Sequence, residues 1–169
     1  NLPVSSAQGV VQYGGQTWIS SADGEILQYV IPRYTLANLV DILRVENTIW
    51  AIDAKGQLCQ FAAAAGPCLA LSLDGDPITM AYHDTNSLWV TTNAKKIWQV
   101  NLADGAATER YTLEQVAQTM VEDPDEQRLW VANRFGLLAF ISLTDGSLTN
   151  VQLQTAERPP DRMAYGGLS

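Results

Sequence analysis

His83 is the single histidine of the chain, and Asp84 follows it directly. An imidazole beside a carboxylate is the pair a general base needs, because the acid orients the ring and supports its charged form. A base acts on a nucleophile or a metal-bound water, and neither is announced here. No serine stands in a Gly-x-Ser-x-Gly elbow, and no cysteine carries a nucleophile motif. One histidine and two cysteines leave no ordinary His/Cys zinc site. The run Glu122-Asp123-Pro124-Asp125-Glu126 offers oxygen ligands of the kind calcium takes. It lacks the spacing of a calcium loop, and its proline fits a solvated turn. Asp74 and Asp76 flank Gly75 in a similar way, and no Gly-rich phosphate loop joins a strand to a helix. The expectation is therefore no catalytic residue, no metal and no cofactor. His83 reads as an exposed turn residue, with general-base catalysis as the competing reading.

Composition bounds what must position these residues. The chain has 169 residues, 47% hydrophobic and 17% charged, enough for one domain with a core and too apolar for disorder. Lys and Arg total 10 against 18 Asp and Glu, a formal charge of -8, which excludes a basic nucleic-acid footprint. No apolar run reaches the roughly 18 residues of a membrane helix, so no membrane insertion by this segment is expected. The sequence opens Asn1-Leu2-Pro3-Val4, without the basic start and apolar run of a signal peptide, as a processed or excerpted chain would. Cys59 and Cys68 stand nine residues apart around an Ala-rich stretch. In a hairpin they would face each other as a disulfide; otherwise they are small core residues.

The organising feature is an internal repeat. Trp18, Trp50, Trp89 and Trp130 open the phrases WISSADGEILQY, WAIDAKGQLCQF, WVTTNAKKIWQV and WVANRFGLLAFI, at intervals of 32, 39 and 41 residues. Six residues after each Trp come Gly24, Gly56, Lys95 and Gly136. Glycine there suits the positive φ of a tight turn between β-branched, aromatic-rich strands. Lys95 breaks the rule, so the third turn, Asn93-Ala94-Lys95-Lys96, is expected to differ in type.

A further segment precedes each Trp: VQYGG (11–15), LRVEN (43–47), MAYHD (80–84) and MVEDP (120–124), with MAYGG (163–167) at the end. Aligned, Val11, Leu43, Met80, Met120 and Met163 form one apolar column, expected to pack between units. Two positions on, Tyr13, Val45, Tyr82, Glu122 and Tyr165 share that face near the strand end. The next column, Gly14, Glu46, His83, Asp123 and Gly166, varies as loop tips do. The candidate ligand- or partner-binding surface is therefore Tyr13, Glu46, His83, Asp84, Glu122, Asp123 and Tyr165. The repeated tryptophans are expected to pack between successive units. Trp98 lies outside the repeated position, so it joins the candidates as an aromatic for partner contact.

A period of about 40 residues with four short strands is the pattern of a β-propeller blade. The fold expected is all-β: four blades of four antiparallel strands, over 10–41, 42–76, 77–115 and 116–158. An extra inner strand opens a fifth blade at 159–169, as in part of a larger ring; the alternatives are that it completes the first blade in place of Val10–Tyr13, or that two copies form an eight-bladed ring. The segment LEQVAQTM (113–120) reads as a linker into an inner strand in preference to a helical turn. Shorter-period solenoids and helical repeats do not fit the spacing.

Met120-Val121-Glu122-Asp123, Arg128-Leu129-Trp130-Val131-Ala132-Asn133 and Gly136-Leu137 together resemble the two-component-regulator propeller repeat. Asp84, Leu88-Trp89-Val90 and Thr91-Thr92 match it less fully, and quinoprotein-like and NHL-like repeats share much of the pattern. The resemblance implies an extracytoplasmic sensor, periplasmic or extracellular, that binds a small molecule or a protein without catalysis. Two alternatives remain beside it: a propeller-type lyase or hydrolase with His83 as base, and an assembly module that self-associates or meets further blades.

Overall fold

A computed structural model describes residues 7–13, 16–21, 24–28, 31–61 and 65–151. The structure places sixteen strands among them and no helix. They are β1 (Ala7–Tyr13), β2 (Gln16–Ser21), β3 (Glu25–Gln28), β4 (Ile31–Thr35), β5 (Leu39–Val45), β6 (Thr48–Asp53), β7 (Gln57–Phe61) and β8 (Ala65–Ala70). There follow β9 (Pro77–Asp84), β10 (Ser87–Thr92), β11 (Lys96–Asn101), β12 (Ala107–Thr112), β13 (Thr119–Asp123), β14 (Arg128–Ala132), β15 (Leu138–Ser142) and β16 (Leu148–Asn150). Each run of four forms one antiparallel meander, giving four four-stranded sheets. The first strands β1, β5, β9 and β13 neighbour one another in turn, so the sheets are blades joined along their inner edges. Residues 113–118 connect two blades without forming a helix. The start of a fifth blade at 159–169 lies outside the described residues.

The blades stack through three apolar clusters, one per gap. Trp18 packs with Ile42, Ala51 and Phe61 of the second blade. Trp50 packs with Met80, Val90 and Val100 of the third, and Trp89 with Met120, Val131 and Ile141 of the fourth. These three indoles are 3–5% exposed. Each large aromatic buries roughly 150–250 Å², so the indoles dominate the contact between sheets that have little else in common.

Strand register corrects the column alignment. The cross-strand partners of the four indoles are Val11, Leu43, Ala81 and Val121. Met80 and Met120 pair instead with the residue after the Trp, as Val10 and Ile42 do. Val11 and Leu43 therefore face the following blade, whereas Met80 and Met120 face the preceding one. The cause is hairpin length. Two residues separate Val45 from its partner Thr48, a bulge follows at Ser87/Leu88, and four residues separate Asp123 from Arg128. A column aligned by residue type therefore falls one residue out of step with the register in the third and fourth blades, and a one-residue offset points to the opposite face.

The third Gly-position turn also departs from expectation. Gly24, Gly56 and Lys95 all donate their backbone N–H to the carbonyl three residues back. Lys95 takes a φ of 65°, close to the 78° of Gly56. The turn keeps its shape, and the lysine backbone enters the left-handed region that glycine occupies without steric cost.

Candidate functional site

The hairpin turns fall on two opposite rims. One rim holds the turns between first and second strands and between third and fourth strands. There Glu46 lies in the β5–β6 turn and Asp84 at the end of β9; Asp123, Asp125 and Glu126 surround the β13–β14 turn. Asp104 and Asp145 occupy the outer turns of the same rim. Among the described residues Arg44 and Arg128 are its cations, and Arg128 is paired with Glu126. The other rim carries Lys55, Lys95, Lys96 and Arg134 beside Asp53, Asp74, Asp76 and Glu114. Among the described residues the negative charge is thus concentrated on the first rim.

On that rim the third and fourth blades are latched by a polar cluster. Because of the register, His83 faces the fourth blade and Glu122 faces the third. His83 Nδ1 and Glu122 Oε2 are 2.7 Å apart, and the Trp89 indole N–H donates to the same oxygen at 2.5 Å. The His83 ring lies 4.8 Å, centroid to centroid, from the Trp89 ring, and Tyr111 lies 6.2 Å beyond. The Glu122 side chain is 8% exposed and that of His83 24%. A carboxylate this buried needs its hydrogen bonds, and the two ring N–H groups supply them. Burial also pushes the Tyr111 hydroxyl above its ordinary value.

His83 is therefore a half-buried strand residue, and the expectation of an exposed turn residue is corrected. Its Nε2 lies 3.8 Å from Asp84. Asp84 itself shapes the turn, accepting from the Asn86 amide at 2.7 Å and the Ser87 hydroxyl at 3.0 Å. Burial pushes the Asp84 carboxyl up, but these hydrogen bonds and the nearby imidazole outweigh it and hold the group below the usual aspartate value. Among the described residues no group of three His, Cys, Asp or Glu side chains is arranged to hold a metal ion.

The other candidates separate. Asp123 ends β13 and caps its turn through the amides of Asp125 and Glu126. Glu46 is exposed at the tip of its turn, with a φ of 50° and no salt bridge. Tyr13 ends β1 on the same rim. Tyr165 lies outside the described residues. Trp98 sits mid-strand in β11, opposite Val90 and Glu109, away from this rim. It packs half-buried against the cluster between the second and third blades, and its indole N–H is buried without a partner. Cys59 and Cys68 are directly opposed on β7 and β8 and joined as a disulfide.

The contact of His83 with Glu122 and Trp89 was hidden in the sequence by the one-step shift in register. The signal available was that a histidine in one repeat meets a glutamate one repeat later. A second feature had no sequence signal: a shallow cleft of about 260 Å³ between the second and third blades on the same rim.

No protein-family model matches the chain, and no curated protein matches it in sequence. Its fold is matched by solved structures. The chain is a β-propeller assembly. The extracellular domain of BT3049, described as a hybrid two-component system of B. thetaiotaomicron, aligns at 17% identity over 88% of this chain and 25% of that one, with a TM-score of 0.69. The WD40 β-propeller domain of Doa1 aligns at 13% identity over 90% of this chain and 55% of that one, with a TM-score of 0.71. The computationally designed Ika8 protein aligns at 7% identity over 96% of this chain and 54% of that one, with a TM-score of 0.69. This chain spans between a quarter and about half of these proteins.

Proposed function

We propose that this propeller is a non-enzymatic recognition module, and that it binds a ligand or protein partner on its acidic rim. The observation that carries this reading is the state of His83. The one candidate base lies tilted against the Trp89 ring with both ring nitrogens turned to carboxylates, Nδ1 to Glu122, whose oxygen also accepts the Trp89 N–H, and Nε2 to Asp84 3.8 Å away. It serves as a joint between blades, while Glu46 and Asp84 beside it remain at the surface.

A sensor role outside the cytoplasm is supported by three features. The fourth repeat resembles the two-component-regulator propeller repeat, and the extracellular domain of BT3049 shares the fold. The Cys59–Cys68 disulfide, with Cys68 at the surface, suits an oxidising compartment.

The test replaces Glu46, Asp84 and Asp123 together by Gln, Asn and Asn, which keeps the turn hydrogen bonds and removes the charges. Immobilised wild-type and variant proteins are compared for what they retain from a periplasmic extract, with Glu109→Gln/Arg110→Gln on the outer strand as control. The expected result is unchanged circular dichroism and melting, and loss of the retained species only in the rim variant. Loss only in the outer-strand variant refutes the site assignment.

Further blades are a second partner. Trp130 and Phe140, whose rings lie 5.2 Å apart, are half-buried on the last described blade, whereas the other repeated indoles are buried against a following sheet. Mass measurement in solution tests this reading: a stable monomer of this segment alone counts against a ring completed by a second copy.

A further inference from the structure

The gap between the second and third blades repeats the geometry of the next gap with one group missing. In the gap between the third and fourth blades, the Trp89 N–H is met by Glu122 from the following inner strand. One gap earlier the register places Trp50 at the indole position, with Val45 where His83 stands and Tyr82 where Glu122 stands. Tyr82 is 41% exposed, and the Trp50 N–H has no hydrogen-bond partner among the described residues. Trp50 is nevertheless only 5% exposed, and it lines the 260 Å³ cleft. An indole donor that opens on a cleft and has no protein acceptor is a group that a ligand oxygen binds in place of water.

The rest of the lining narrows the chemistry. Gln60, Thr85 and Asn86 offer side-chain amides and a hydroxyl, Leu102 an apolar wall and Glu46 a carboxylate without a salt bridge. No cation lines the cleft, and the surrounding rim is acidic. We infer that this cleft docks a basic peptide segment of a protein partner. A backbone carbonyl of the segment accepts from the Trp50 N–H, and a lysine or arginine side chain reaches Glu46. The segment's amides meet Gln60 and Asn86, and the acidic rim speeds its encounter. This inference rests on the recognition reading above and specifies its partner.

The test follows indole N–H cross-peaks of the ¹⁵N-labelled protein, with the Trp50 peak assigned through Trp50→Phe. The probe is an acetylated, amidated hexapeptide carrying adjacent arginine and lysine, alongside its alanine and glutamate counterparts. The basic peptide is expected to move the Trp50 peak and the backbone amides of Glu46 and Asn86, and to leave the Trp89 peak in place. Glu46→Gln is expected to weaken that binding roughly two- to five-fold, as loss of one exposed ion pair does. Raising salt from about 50 to about 300 mM is expected to weaken it further by screening. Arg134→Glu, on the opposite rim, leaves it unchanged. Equal binding of the alanine or glutamate peptide overturns the inference, as do shifts confined to the turns of the opposite rim. No shift at millimolar peptide also overturns it. If the triple rim variant still abolishes capture of a partner in any of those cases, the recognition reading stands and only the basic-peptide assignment falls.

Discussion

Replacing Glu122 by Gln tests whether the polar cluster on the acidic rim holds two blades together. The side chain keeps its shape, and its oxygen can still accept from Trp89 and His83, now 2.5 and 2.7 Å away. What is lost is the charge. A hydrogen bond to an ionised group contributes about 1.5–3 kcal/mol, against about 0.5–1.5 for a neutral one. Two such bonds therefore lose about 2 kcal/mol together, after the lower cost of burying a neutral amide is allowed for. For a chain of this length that corresponds to a fall of roughly 4–8 °C in melting temperature. Glu122→Ala should cost more, about 3 kcal/mol or above, because it strands the indole N–H beside an emptied space. Urea titration followed by circular dichroism measures both, and Glu126→Gln at the exposed Arg128 pair serves as a control expected within about 0.5 kcal/mol. Hydrogen exchange should place the loss in β9 and β13. A Glu122→Gln variant within about 0.5 kcal/mol of wild type, or one destabilised only in distant blades, refutes the joint.

Reducing the Cys59–Cys68 disulfide, which closes a loop with a sequence separation of 9, should lower stability by about 2.6 kcal/mol; coincident urea midpoints with and without reductant would contradict this. Lys95→Gly should stabilise by about 0.5–1 kcal/mol, since the left-handed backbone costs a lysine about 1–2 kcal/mol and glycine returns part of that gain through its freer unfolded chain; a lower midpoint would show the turn to be unstrained. Asp84 lies below its ordinary value of 3.8 in the folded chain, so its contribution is complete above that value and is lost as pH falls through the folded one. Asp84→Asn should accordingly flatten the loss of stability below about pH 3.8, and an unchanged acid slope would remove Asp84 from that account.

Much of the architecture is legible in residue order. A strand alternates its faces every residue and a tight turn needs a positive φ, so phrases such as WAIDAKGQLCQF carry their own strand–turn–strand shape. The recurrence of Trp18, Trp50 and Trp89 then implies sheets stacked through indoles, because one repeat buries too little apolar surface to stand alone. The site was legible only in part. Residue order puts His83, Asp84, Glu122 and Asp123 at one end of the inner strands, where they lie, but it groups His83 with the loop tips and Glu122 with another column, and so hides their contact. Trp98, outside the repeated position, packs half-buried against the cluster between the second and third blades, a contact that its position in the sequence does not show.

What the order of residues determined by itself is everything encoded within about a dozen positions: strands, turns, the direction of each meander and the acidic character of the chain. What only the tertiary structure decided is which residues face each other across a gap. His83 meets Glu122, 39 positions away, because His83 lies two residues beyond Ala81, the partner of Trp89, and faces the next blade, whereas Glu122 lies one beyond Val121, the partner of Trp130, and faces back. Trp50 and Trp89 are alike in sequence and differ in the space before them, since the residue that fills that space belongs to the next blade. Local backbone preferences act along the chain, whereas burial and hydrogen-bond satisfaction act across it, and the second kind of constraint is set only when the sheets meet.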